Sequence, residues 1–392
     1  MNTHQHLNVA VIGYGGIGSA HTGCIAQGRI QGMRLAAVCD TAPARLALAA
    51  ERFPGVRCTA DYHDLMDGSV DAVIIAVPHP MHCTIAADCL RAGLHVLTEK
   101  PLDISVTAAE KAIRAAEESS GIFAVMLNQR TAPIFIRARE ILRSGALGEL
   151  KRTVWIITNW YRTQHYYDSG AWRATWAGEG GGVLLNQAPH NLDLWQWICG
   201  MPVSVTAHCD VARYHRIEVE DDATLLTRYA NGATGLFITS TGEYPGTNRL
   251  EIAGDLGKLV LEDGVLKWWR LKEAEYDVRW HSGSSMPKID FDYSEERFAD
   301  DGAQHQGILQ NFADAILDGE PLISPGADGL NELMLSNAAY LSQWQGNIPV
   351  ELPLNAEKFD ALLREHAARS VTHEALAEMP QGQYSERWQP RW

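Results

Sequence analysis

Lys100 and His190 are the side chains in this 392-residue chain placed to handle a proton. Lys100 sits in Glu99-Lys100-Pro101, directly after the apolar run His95 to Thr98. An ammonium beside a hydroxyl stabilises the alkoxide character that develops as a hydride leaves the carbon. The plain alternative is a surface lysine at a strand end, but Pro101 stiffens the turn and aims the side chain. His190 lies in Gly180-Gly-Gly-Val-Leu-Leu-Asn-Gln-Ala-Pro-His190-Asn-Leu-Asp193. Its imidazole titrates near neutral pH and suits a general acid or base. Pro189 fits only the first turn of a helix, and a helix from Asn186 to Ile198 would put Asn186 and His190 on one face with Asp193 a turn beyond. Each has a plain alternative: core histidine, helix N-cap, solvated aspartate. Three polar residues along one face of a tryptophan-rich segment favour the chemical reading.

A second constellation is built to hold phosphate. Gly13-Tyr14-Gly15-Gly16-Ile17-Gly18 follows a short apolar run and opens a helical pattern, and Asp40 closes the next apolar run. Strand, glycine turn, helix, strand, acid is the order a dinucleotide site requires. Gly13 permits the turn, Gly15 lets backbone approach a pyrophosphate, and Gly18 lets helix and strand pack closely. The helix N-terminus offers free N–H groups to the phosphates. Asp40 is expected on the ribose hydroxyls, which favours NAD over its 2′-phosphorylated form. Thr41-Ala42-Pro43 supplies no arginine to offset the repulsion, and Arg45 lies further along the helix.

These residues need elements to hold them. Alternating strands and helices predict an α/β protein with a doubly wound parallel sheet over residues 1–128, ligands lying beyond the strands' carboxyl ends. Gly13, Pro78 and Lys100 all fall at such ends. Residues 129–370 read as a second, α+β domain with a large, mainly antiparallel open sheet, its hairpins marked by Asn231-Gly232 and Asp263-Gly264. The stretch Ser282 to Gly302 reads as loop. A tail, 371–392, carries Tyr384, Trp388 and Trp392.

Bulk properties narrow the classes. A net charge of −15 disfavours nucleic acid and anionic membrane as partners. No apolar run approaches the ~20 residues of a membrane span. The seven cysteines are scattered and unpaired, and the start has no secretory pattern, so a cytoplasmic protein is expected. No histidine pair has metal-ligand spacing, so no metal is expected.

Together the glycine fingerprint, Glu99-Lys100-Pro101 and the 180–193 run resemble the glucose–fructose oxidoreductase / inositol dehydrogenase / MocA family, from Leu7 to about Arg369. Val77-Pro78-His79-Pro80-Met81-His82 is similar to that family's turn beside the pyridine ring, which more often has Asn at position 79. The resemblance implies NAD(P)-linked oxidation or reduction of a sugar or cyclitol hydroxyl, a small-molecule carbohydrate substrate, and a homodimer or homotetramer through the second sheet. It implies Lys100, His190 and Asn186 as catalytic residues. Cofactor contacts fall to Gly13, Gly15, Gly16, Ile17, Gly18, Asp40, Pro78, His79, His82, Glu99 and Lys100. Substrate contacts fall to Lys100, Arg130, Tyr161, Trp172, Asn186, His190, Asp193 and His305. The family commonly has Asp where this chain has Asn186. Trp160, Tyr161, His165, Tyr166, Tyr167, Trp172, Arg173 and Trp176 read either as sugar-facing rings or as stacked core and subunit contact. Two other functions fit the pattern: a glycoside hydrolase that retains NAD and uses transient oxidation, and a non-enzymatic sugar or dinucleotide sensor.

Overall fold

The computed structural model describes residues 6–371. The tail from residue 372 onward, with its three aromatic residues, lies outside that range. The first half alternates as expected: β1 (Leu7–Ile12), α1 (Gly16–Ala26), β2 (Met33–Cys39), α2 (Pro43–Arg52), β3 (Arg57–Thr59), β4 (Ala72–Ile75), α3 (His82–Arg91), β5 (His95–Thr98), α4 (Val106–Glu117) and β6 (Phe123–Val125). All six strands are parallel, in the order β3-β2-β1-β4-β5-β6. Val73, Ile74 and Ile75 are almost wholly buried, as a strand covered on both faces must be. Ser105 caps α4, its side chain accepting from the Ala108 N–H at 3.2 Å.

Next come α5 (Pro133–Arg143), β7 (Leu150–Ile157), α6 (Gln164–Asp168), α7 (Pro189–Cys199), β8 (Ser204–Val211), β9 (Glu220–Arg228), β10 (Thr234–Ser240), β11 (Asn248–Gly254), β12 (Gly257–Glu262), β13 (Val265–Leu271), α8 (Glu275–His281), β14 (Phe291–Arg297), α9 (Gln304–Leu317), α10 (Gly329–Trp344), β15 (Val350–Glu351) and α11 (Ala356–Ala367). Nine strands form one sheet, β14-β13-β12-β11-β7-β10-β9-β8-β15, antiparallel except where β10 runs parallel to β7. Alternate residues of β9, β10 and β11 are buried, which marks one packed face. That face meets α7 through Trp195, which lies 5.4 Å from Phe237 and donates to Thr153 Oγ1 at 3.0 Å.

Two expectations need correction. The stretch Ser282 to Gly302 is not all loop: β14 forms there and pairs with β13 in full register. Its residues are mostly exposed, and the alternation ends after Phe291 and Tyr293 in the polar run 294–297, too short to read as a strand. The helix expected from Asn186 begins instead at Pro189, because proline tolerates the first turn but not the interior. Asn186 and His190 therefore do not share a helix face. Finally, α9 lies late in the chain yet packs on the first sheet. Ile308, Leu309, Phe312 and Ala313 join Val9, Val11, Leu35, Ile74 and Leu97 in one core. Among the described residues no helix is long and apolar enough to cross a membrane.

Candidate active site

The carboxyl ends of β1, β4 and β5 lie side by side, with Ile12 opposite Ile75 and Ile75 opposite Thr98. That register places the glycine turn, Pro78-His79 and Glu99-Lys100 in one row. At the turn Gly13 adopts φ +93°, and a Cβ on it would come within 2.3 Å of the Ala76 carbonyl. A Cβ on Gly18 would meet the Gly13 carbonyl at 1.8 Å. Both positions therefore require glycine. Past Gly15 the backbone is open, the nearest group being an Arg45 nitrogen at 3.3 Å. α1 starts there without a side-chain cap or an acidic residue in its first turn. Its first N–H groups and dipole end suit a pyrophosphate. The residues present fit a dinucleotide.

Asp40 closes this end. Its carboxylate accepts from the Tyr14 N–H at 2.7 Å and the Ala42 N–H at 2.8 Å. Arg45, one turn into α2, reaches 3.7 Å from Asp40 Oδ2. Thr41, Ala42 and Pro43 supply no arginine, as the sequence says, but Arg45 further along the helix is folded back over the turn and stands beside Asp40.

At the other end Lys100 follows β5, through a cis Lys100–Pro101 bond. Its Nζ donates to the backbone carbonyl of Asn186 at 2.8 Å. Burial pulls the Lys100 pKa down, and Glu99, Tyr166, Glu332 and Glu179 partly counter it. Glu99 is bonded to His21 Nε2 at 2.7 Å. Burial opposes its ionisation, but the His21 bond and the charges of His21, His305 and Lys100 hold it down at about 2. His305, at the start of α9, packs 5.9 Å from His21. Burial drives its pKa down to about 4.

His190 sits in the first turn of α7, only 6 % exposed, with no hydrogen-bond partner at Nδ1 among the described residues. Burial, then Lys100 and His305, hold its pKa well below the usual histidine value. A buried ring nitrogen without a partner implies a ligand group to fill the position. Asp193 is occupied otherwise. Arg130 grips it through Nε at 2.8 Å and Nη2 at 2.6 Å, and reaches Asp328 at 2.5 Å. Arg130 and Asp193 are both buried in this pair. A cavity of about 890 Å³ opens beside Arg130, bordered by Arg139, Arg143 and Trp197, and neither Lys100 nor His190 lines it.

The histidine turn joins the two halves. His79 bonds through Nδ1 to the Glu179 carbonyl at 3.0 Å, and its ring meets Trp172 edge-on at 5.8 Å. His82 contacts the Pro101 and Val77 carbonyls, both at 2.8 Å, so its ring nitrogens serve the backbone. The aromatic stretch divides. Trp176 packs edge-on into a core with Tyr340 and Trp344. Tyr167 is buried against Thr241. Tyr161 is exposed and pairs with Tyr244, and His165 is exposed too. Trp160 donates to Asn191 at 3.0 Å. Trp172, Arg173 and Tyr166 remain together, the Arg173 guanidinium lying 4.5 Å from the Trp172 ring and 4.7 Å from the Tyr166 ring.

Sequence reasoning missed Glu179. It is buried, its Oε1 accepts from the Asn186 amide, and its Oε2 accepts from the Ala174 N–H at 2.6 Å. Burial raises its pKa to about 7, against the pull of Arg173, the Ala174 N–H and Lys100. An acid between apolar residues and a glycine run was the only available signal. The run itself packs tightly: a Cβ on Gly182 would meet the Glu220 carbonyl at 1.9 Å. The Glu220 carboxylate anchors the loop by accepting from the Gly182 and Leu184 N–H groups, both at 2.9 Å.

Comparison with known proteins agrees with this architecture. Residues 7–127 match the model of an oxidoreductase family with an NAD-binding Rossmann fold, and residues 135–260 match the GFO/IDH/MocA C-terminal domain. Inositol 2-dehydrogenase 2 of Saccharopolyspora erythraea is 30% identical over 263 residues, covering 65% of this chain and 73% of that protein. Inositol 2-dehydrogenase of Rhizobium meliloti is 24% identical over 335 residues, covering 82% and 96%. The WlbA dehydrogenase of Bordetella pertussis, solved with NADH and UDP-GlcNAcA, is 26% identical, with a TM-score of 0.74 over 90% of this chain and 100% of that one. With its glycine turn, its Glu-Lys-Pro segment and its nine-stranded second sheet, this chain belongs to the GFO/IDH/MocA family of NAD-binding oxidoreductases.

Proposed function

We propose that the protein oxidises a ring hydroxyl of a sugar, glycoside or cyclitol, with Lys100 and His190 handling the hydroxyl proton. The observation that carries this reading is a half-buried lysine after β5 whose charge acts on a buried histidine of α7, its Nδ1 without a partner among the described residues. NAD, when bound along the glycine turn, supplies the acceptor for the hydride. Lys100 spends one N–H on Asn186 and keeps two for a substrate oxygen. His190, held neutral by burial, takes the proton as the hydroxyl becomes a carbonyl. Arg130 and Asp193 fix α7, and so the His190 ring, from behind. Trp172 offers a ring face to an apolar sugar face. Asp40 favours NAD over the 2′-phosphorylated cofactor. The open face of the second sheet, with Val211 and Leu226 exposed, suits association with a second copy. Sedimentation tests that. The activity itself is tested by NADH formation over a panel of sugars, glycosides and inositols. A hydrolase retaining its cofactor, or a sensor, would show no net NADH.

A further inference from the structure

The Asn186 amide turns its NH₂ toward protein, Nδ2 meeting the Glu179 carboxylate. Beside it the Tyr166 phenol oxygen accepts from Arg173 Nη1 at 2.9 Å and Gln187 Nε2 at 3.1 Å. Among the described residues the Asn186 side-chain oxygen has no protein donor. It is therefore the end of the amide offered to the site, next to Lys100, which is bound to the same residue's backbone carbonyl.

An ionised carboxylate can only accept, whereas a protonated one can donate. An ionised Glu179 demands the Asn186 NH₂. A protonated Glu179, still accepting the Ala174 N–H through one oxygen, donates through the other and demands the Asn186 oxygen. The amide must then turn over, and its NH₂ faces the site instead. We propose that Glu179 is a positioning residue whose ionisation sets whether Asn186 presents an acceptor or a donor to the substrate. This rests on the reading of the site as one that binds a ring hydroxyl.

The charged and titratable groups facing Glu179 are Arg173 from its own loop, Lys100 after β5, His79 after β4, and Tyr166 and Tyr167 from α6. Its own titration is centred near pH 7, with burial the cause. Arg173 and Lys100 pull against that rise, and the carboxyl bonded to the amide is the group whose change the amide follows. With Lys100 supplying donors, the acceptor form complements a substrate hydroxyl better. Substrate binding should thus tighten as pH rises through the Glu179 titration. Glu179→Gln offers a fixed NH₂ to Asn186 and so imitates the protonated form at every pH.

Two measurements decide it. The first needs no substrate: infrared difference spectra of the NAD-loaded protein against pH, with ¹³C-labelled Asn. The expected result is a carboxyl band that titrates near pH 7 and is missing in Glu179→Gln, accompanied by a shift of the Asn186 amide band identified with Asn186→Ala. An Asn186 band that stays put through the carboxyl titration overturns the proposal, whatever the enzyme does. The second is the pH dependence of kcat and KM for a panel sugar that yields NADH. KM of the wild type should fall about five- to tenfold from acid to alkaline pH, the scale of one hydrogen bond, with kcat changing less. Glu179→Gln should show a high, flat KM, and Asn186→Ala should be flat too. A KM profile of wild-type shape in either variant overturns the proposal. If no sugar yields NADH, the activity reading fails, and the infrared arm still decides whether Glu179 turns the amide.

Discussion

The Lys100 ammonium and the Asn186 backbone carbonyl lie 2.8 Å apart, although 86 residues separate them in sequence. This contact ties the end of a parallel strand in the first sheet to the loop that leads into α7. Lys100 thus arrives at the site already oriented, its remaining donors fixed relative to the helix that carries His190.

On the proposed mechanism, removing Lys100 or His190 should therefore affect turnover far more than cofactor affinity. Lys100→Ala and His190→Ala are each expected to lower kcat by ~10²-fold or more, with the NAD dissociation constant nearly unchanged. Steady-state kinetics and titration of NAD fluorescence quenching check this. Near-normal kcat in either variant removes that residue from the mechanism.

Asp40 has two tasks, which a substitution should reveal together. Its oxygens hold the Tyr14 and Ala42 N–H groups, and in the proposed reading its charge disfavours a 2′-phosphate. Asp40→Ala is expected to narrow the preference for NAD over NADP by about tenfold, helped by Arg45, and to lower thermal stability by about 1–3 kcal/mol for two unsatisfied donors. The ratio of kcat/KM for the two cofactors is the measurement. A wild type that prefers NADP contradicts the reading.

Arg130 and Asp193 show what pattern reading does and does not give. Both stand out in the sequence as polar residues near the site, yet the structure pairs them with each other. Arg130→Met leaves Asp193 buried and uncompensated, and should cost about 3–5 kcal/mol in denaturant unfolding. A change below about 1 kcal/mol would mean that the pair contributes little to holding α7.

The fingerprint from Leu7 to Asp40 was legible because each residue there answers a local demand: turn, close approach, helix start. Lys100 was legible because a charge ending a buried strand stands out. Glu179 was not, since its meaning depends on the fold of one loop onto Asn186 and Tyr166. Nor was the packing of α9 on the first sheet, because an amphipathic helix does not specify which sheet it covers. β14 escaped notice because an edge strand needs no buried face, and Phe291 and Tyr293 alone make too short an alternation. Asn186 was placed on the wrong element, since spacing of four suggests a helix only where a helix exists.

Glu332 offers a test of electrostatics beneath the site. It is wholly buried, and burial with the charge of Asp193 raises its pKa to about 8 from an ordinary 4.5. The native state then holds a proton that the unfolded chain releases above pH 4.5. This contribution to stability is present at low pH and is lost as pH rises toward 8. Glu332→Gln should accordingly stabilise the protein at pH 8 by about 1–3 kcal/mol relative to its effect at pH 5. Unfolding midpoints at the two pH values check the sign, and a variant equally affected at both would contradict the shift.

The central claim is net oxidation of a carbohydrate hydroxyl with Lys100 engaged. Its most direct test is NADH absorbance on mixing the purified protein with NAD and a panel of sugars, glycosides and inositols, beside Lys100→Ala. The account predicts steady NADH formation with at least one panel member, reduced about a hundredfold in the variant. A wild type that binds NAD yet forms NADH with none of them, or a variant that matches the wild type, would contradict it.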